Sequence, residues 1–94
     1  MLFETDVKQY DDREKHKRQA GEYIDRILYG VEYFQRLYPR LTPIIFISND
    51  IISTIAKGTD RALYYHDSKL TTICGYEFKT AVGENILCIG YNLI

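Results

Sequence analysis

The stretch TPIIFISNDIISTIAKG (42–58) decides the fold, and it admits two readings. In one, Thr42 caps a single helix, Pro43 fills its first position and Gly58 lies just beyond its end. In the other, Ile44, Ile45, Phe46 and Ile47 form a strand, because β-branched and aromatic side chains fit a pleated surface. Ser48 then caps a shorter helix from Asn49 to Lys57, with Ile51, Ile52 and Ile55 on one face. The density of β-branched residues favours a strand over 43–47 followed by a helix over 49–57. The segment 43–58 therefore reads as a strand–helix unit, and the chain as mixed α+β.

Upstream, the pattern is helical over 11–38. Asp11 is a suitable N-cap, with Glu14 three residues later as in a capping box. Pro39 disfavours helical geometry in the residue before it and ends the helix there. Such a helix spans roughly 40 Å at the usual rise per residue. Residues 12–19 are polar all round. From there Ala20, Ile24, Ile27, Val31, Phe34 and Tyr38 recur at spacings of four and three, a heptad seam. Tyr23, Leu28 and Leu37 widen that seam beyond a narrow coil. Gly30, beside it, predicts the close approach of another element. Residues 1–10 form a lead segment whose Leu2, Phe3, Val7 and Tyr10 can pack back onto the domain.

Downstream, 59–69 is a connector with a short strand over Ala62 to Tyr65. Residues 70–94 alternate in hydrophobicity around Gly83-Glu84, which predicts an antiparallel β-hairpin with Val82 opposite Asn85. Leu70, Cys74, Tyr76, Phe78, Leu87, Ile89, Tyr91 and Leu93 then share one face. Cys88 falls opposite Lys79 and Cys74 opposite Leu93, on different faces, so the two thiols cannot bridge. The second face carries Ile73, Ala81, Ile86, Cys88 and Ile94. It calls for cover from residues 1–10, from the connector or from another chain. The expectation is one α+β domain over 1–94: a long N-terminal helix, a short strand–helix unit and a C-terminal antiparallel hairpin. The helix seam is expected to pack on Phe78, Ile89 and Tyr91.

Composition bounds the function. At 94 residues the chain is one small domain, and 46% hydrophobic residues suffice for a core. Twelve Lys and Arg against thirteen Asp and Glu leave a net charge of -1, which argues against a generally basic nucleic-acid binder. No apolar run exceeds four residues, as in Ile44 to Ile47, far below the roughly 20 residues of a membrane helix. The N-terminus lacks the cationic and apolar regions of a secretory signal. Two cysteines make no disulfide framework, so the expected location is the cytoplasm, with both thiols reduced. Nine Tyr, four Phe and no Trp suit a core filled with amphipathic rings, or an interface.

Few residues point to chemistry. The run Arg13, Lys15, His16, Lys17 and Arg18 offers a phosphate-binding site, but Asp11, Asp12 and Glu14 are interleaved with it. Such alternation is ordinary on a solvated helix face. His66-Asp67-Ser68 brings together groups used in acid–base and nucleophilic catalysis. Adjacency in sequence is not triad geometry, however, and Asp and Ser are also turn formers. Thr59, Asp60 and Arg61 are polar groups at a helix end. The His and Cys spacings match no metal motif, no phosphate loop is present, and no cofactor is predicted.

The order Pro43, Ile45, Ile47, Ser48, Asp50 and Ile51, followed by Ile73, Gly75, Tyr76, Gly90 and Tyr91, resembles a pattern in small bacteriophage-encoded proteins. It covers about the last fifty residues and leaves out the long helix. The resemblance implies a viral or mobile-element origin and an α+β fold, and transfers no catalytic residue.

Three functions follow as expectations. The first is a small, non-enzymatic, oligomeric interaction protein that binds a protein partner, with Ile24, Ile27, Val31, Phe34, Ile73, Ile86, Cys88 and Ile94 as interface. The second is a nucleotide or nucleic-acid binder using the basic run. The third is an enzyme built around His66 and Asp67.

Overall fold

In the computed structural model the backbone is described over residues 4–91 and the side chains over residues 14–91. The side chain of Arg13 and the whole of Leu93 and Ile94 lie outside those ranges, as do the contacts expected of the lead segment. The fold is α+β. A long helix, α1 (Glu4–Leu37), is followed by a strand, β1 (Ile44–Ser48), and a second helix, α2 (Asn49–Gly58). Four short strands complete the order: β2 (Leu63–His66), β3 (Lys69–Ile73), β4 (Phe78–Ala81) and β5 (Leu87–Gly90). No described helix is long and apolar enough to cross a membrane.

Helix α1 starts at Glu4, seven residues before the expected cap at Asp11, so of the two forms open to the lead segment, irregular or helical, residues 4–10 take the helical one and continue into the long helix. That segment holds no Gly or Pro to interrupt helical geometry. At the other end the chain leaves the helix before Pro39, and Leu41 N–H bonds to the Tyr38 carbonyl at 3.1 Å. The heptad seam faces inward from Ala20 to Phe34, while its last member, Tyr38, lies past the helix end and is exposed. Ala20, Ile27, Val31 and Phe34 are buried, and Ile24 packs against the core from its rim.

The strand–helix reading of 42–58 holds, and β1 is the centre of the molecule. Ile45 and Ile47 are fully buried and join Ile27, Val31, Ile51, Ile55, Leu63 and Ile73 in one core. Ser48 occupies the N-cap position of α2, yet its hydroxyl makes no capping bond to that helix. The far end of α2 meets α1 at Gly58. A Cβ there would lie 2.4 Å from both the Ala20 Cβ and the His16 carbonyl oxygen, so only glycine permits this crossing.

The C-terminal segment departs from the expected hairpin. Strands β4 and β5 do not pair with each other; β1 lies between them, in the order β4-β1-β5. Strand β4 runs parallel to β1, with Ile45 opposite Phe78, and β5 runs antiparallel, with Phe46 opposite Cys88. The reason is the apolar character of β1, which is satisfied by strands on both edges as well as by helices on one face. The Val82–Asn85 pairing therefore does not form, and residues 82–86 cross over the end of β1. Cys88 faces Phe46 instead of Lys79. The sidedness survives the change of partner: Phe78, Leu87 and Ile89 still share the face that packs on the core.

Residues 70–80 are two strands rather than one. Cys74 (φ 53°) and Gly75 (φ 82°) turn the chain, with Tyr76 N–H on the Ile73 carbonyl at 2.9 Å and the reverse bond at 3.0 Å. The antiparallel hairpin of this chain is β2–β3, over 63–73. Its turn is Asp67-Ser68, both at positive φ, as a tight hairpin turn requires.

Candidate functional site

A groove of about 490 Å³ runs between the C-terminal half of α1 and β5. Arg26, Tyr29, Gly30, Tyr33, Phe34 and Leu37 form its helical wall, and Leu87, Cys88 and Ile89 its floor. Gly30 sets the spacing of the two elements. A Cβ there would stand 3.0 Å from the Ile89 side chain, so β5 is the element whose close approach the glycine foretold. Beyond the groove, the Phe34 ring lies 5.2 Å from Tyr38 and 6.1 Å from Tyr91. Tyr29 and Tyr33 are 73% and 56% exposed, so their rings stand over the groove rather than filling the core.

The floor has a definite hydrogen-bonding pattern. Ser48 N–H donates to the Ile86 carbonyl at 2.9 Å, and Ile45 N–H points the other way, to the Glu77 carbonyl at 2.9 Å. Main-chain groups of an antiparallel pair alternate in direction. Ile86, Cys88 and Gly90 therefore face β1, and the N–H and C=O groups of Leu87 and Ile89 face away from it. Among the described residues no strand lies on that side of β5. The groove is thus floored by an open strand edge whose side chains are anchored in the core.

A second polar cluster is structural. The buried Ser48 hydroxyl donates to Asp50 Oδ1 and accepts the Ile86 N–H at 3.0 Å, and Asp50 Oδ2 accepts the Asn85 N–H at 2.9 Å. Those bonds pin the crossing segment 82–86 to the junction of β1 and α2. The Ser48 hydroxyl first, and the Asn85 amide second, hold the Asp50 carboxyl below its ordinary pKa. Burial pushes the Cys74 thiol up.

The residues singled out in the sequence scatter. Lys15, Lys17 and Arg18 are exposed on α1, His16 is half-buried near α2, and Lys17 Nζ lies 3.8 Å from Glu14. Their side chains do not line the groove. His66 and Asp67 lie at the tip of the β2–β3 hairpin, 3.5 Å apart and both largely exposed. Thr59 Oγ1 accepts the Arg61 N–H at 3.2 Å, a local turn. Among the described residues no three His, Cys, Asp or Glu side chains converge.

The expected interface set needs correction. Ile27, Val31, Phe34 and Ile73 are buried within the single chain, because the seam packs on its own sheet and β3 turns its end into the core. Ile24 and Ile86 are half-buried, Cys88 is exposed, and Ile94 lies outside the described residues. Sequence reasoning had Leu37 only as a flank of the seam and missed Tyr29 and Tyr33 as a wall. The only signal for the two tyrosines was apolar character on the side of the helix away from the heptad seam. Comparison with known protein families, curated proteins and solved structures gives no match for this chain.

Proposed function

We propose that the protein is a small, non-enzymatic interaction protein that takes another polypeptide chain into the groove between α1 and β5. The observation that carries this reading is the open edge of β5 beside exposed Tyr29 and Tyr33. Unpaired main-chain groups in a row are a template for an extended chain, and tyrosines supply rigid amphipathic contact area. Arg26 is the charged group of the lining, so the wall is apolar with one cation. Free Cys74 and Cys88 accord with a reducing location, the cytoplasm.

The reading is tested by replacing Tyr33 with a benzophenone amino acid and irradiating cells that express the protein. Ser53, exposed on α2, is the control position. The expected product is a discrete cross-link to a polypeptide at Tyr33 and none at Ser53. No cross-link at Tyr33, or equal yields at both positions, overturns the reading.

A further inference from the structure

We infer that the chain taken into the groove is a second copy of this protein, joined β5 to β5 across a two-fold axis; this rests on the reading above. Three observations support a second copy over an unrelated strand. The first is the count of outward groups. Leu87 and Ile89 each present one N–H and one C=O to the open side. An antiparallel copy with Leu87 opposite the partner's Ile89 satisfies all four of these groups in each chain. A two-fold axis through this register relates the copies by an isologous contact, and joins two three-stranded sheets into one of six strands.

The second observation is the charge pattern on the exposed stripe of α1. Glu22, Arg26, Tyr29, Tyr33 and Arg36 recur at spacings of four and three and are all exposed. The same two-fold axis runs the two α1 helices antiparallel. Pairing the stripes about Tyr29 sets Glu22 against the partner's Arg36, and Arg26 against the partner's Glu32, which lies beside the stripe and within its own chain pairs Arg36 at 2.6 Å. A parallel arrangement would set each charge against its own like. The stripe is therefore complementary to itself in the one sense that the strand edge allows. Exposed pairs of this kind contribute little affinity and set orientation; Tyr29, Tyr33 and Leu37 supply the apolar area.

The third observation is that nothing on the edge resists such pairing. Leu87–Gly90 carries no charged residue and no proline, the devices that usually protect an edge strand. The register also makes a specific geometric claim. Cys88 falls directly opposite the partner's Cys88 at a non-hydrogen-bonded position, with Cα atoms about 4.5 Å apart. That distance lies within the range a disulfide can span.

The test uses the full chain. Sedimentation equilibrium is expected to show a monomer–dimer equilibrium. Brief treatment with copper phenanthroline and dioxygen, which removes two electrons and two protons from a thiol pair, is expected to trap the dimer. The trapped band should be lost in Cys88→Ser and kept in Cys74→Ser. Tyr29→Lys, which sets two lysines against each other at the axis, should weaken association at least about tenfold, as for a central aromatic contact, and Arg26→Glu roughly two- to fivefold. Both positions are exposed on α1, so folding is checked by an unchanged circular dichroism spectrum. A chain monomeric at roughly 100 µM, weaker than specific pairing requires, overturns the inference. So does a dimer that Cys88 does not cross-link and Tyr29→Lys does not weaken. A monomer whose Tyr33 cross-links a different polypeptide removes the second copy and leaves the groove reading standing. Absence of any cross-link at Tyr33 removes both.

Discussion

Ser48 is the residue on which the C-terminal half of the sheet hangs. It is fully buried, and its one hydroxyl serves a side chain two residues away and a main-chain amide from the crossing segment. Ser48→Ala leaves the Ile86 N–H without its acceptor in a dry site, and is expected to destabilise the protein by about 1–3 kcal/mol, read as a lower urea midpoint. Its partner Asp50 makes stability depend on pH. The folded state holds that carboxyl below its ordinary value, so the unfolded chain takes up the proton first as pH falls. The contribution is complete above the ordinary aspartate pKa of about 3.9. It is lost as pH falls through the depressed folded value. The gap in urea midpoint between wild type and Asp50→Asn should be constant above about pH 5 and close below about pH 4. A gap that widens toward acid would contradict the assignment. Serine before a helix is ordinarily an N-cap, and the sequence alone assigns Ser48 that role. What redirects the hydroxyl is a loop some forty residues away, which local pattern does not contain.

At the scale of elements, the strongest local signals were legible in the sequence, although the start of α1 was not: a cap is expected at Asp11, and the helix begins at Glu4. The β-branched run 44–47 is a strand, Asn49 begins a helix, Pro39 follows the end of α1, and the spacing from Ala20 to Phe34 is a buried seam. Strand pairing is not local. Residues 70–94 alternate well enough to pair with themselves, and the partner they find is β1, more apolar than either. The Cys74-Gly75 turn was legible in principle from its glycine, but continuous alternation across it masked the break. The groove was half legible: Gly30 announced a close neighbour, while the tyrosine wall became visible only once β5 lay beside it. The contact of α2 with α1 gives a further expectation. Gly58→Ala forces a methyl group against Ala20 and the His16 carbonyl. It should cost about 1–3 kcal/mol by overpacking, in spite of the better helix propensity of alanine. Thermal denaturation measures it, and an unchanged or raised midpoint would mean that the helices can separate without loss.

As a whole molecule the chain is elongated, 58 × 29 × 24 Å, with a radius of gyration of 15.6 Å. A globular domain of this length has about 12 Å, and the excess comes from α1. Amide hydrogen exchange should resolve two levels of stability. Ile45 and Ile47, on a strand paired along both edges, should exchange only through global unfolding. Leu87 and Ile89 should exchange fast in dilute protein and slow as concentration rises, because their amides then acquire acceptors. Slow exchange at every concentration would show that the edge is already covered within one chain. The position of β1 between two later strands also orders events in time. A nascent chain at about 5–20 residues per second finishes β1 seconds before it finishes β5. Throughout that interval the most apolar strand of the protein has at least one edge unsealed, and both until β4 is made. Among the described residues β5 is the last strand to be born; it closes the sheet and at once presents the edge on which, in the proposed pairing, another chain settles, so that pairing waits on the completion of folding.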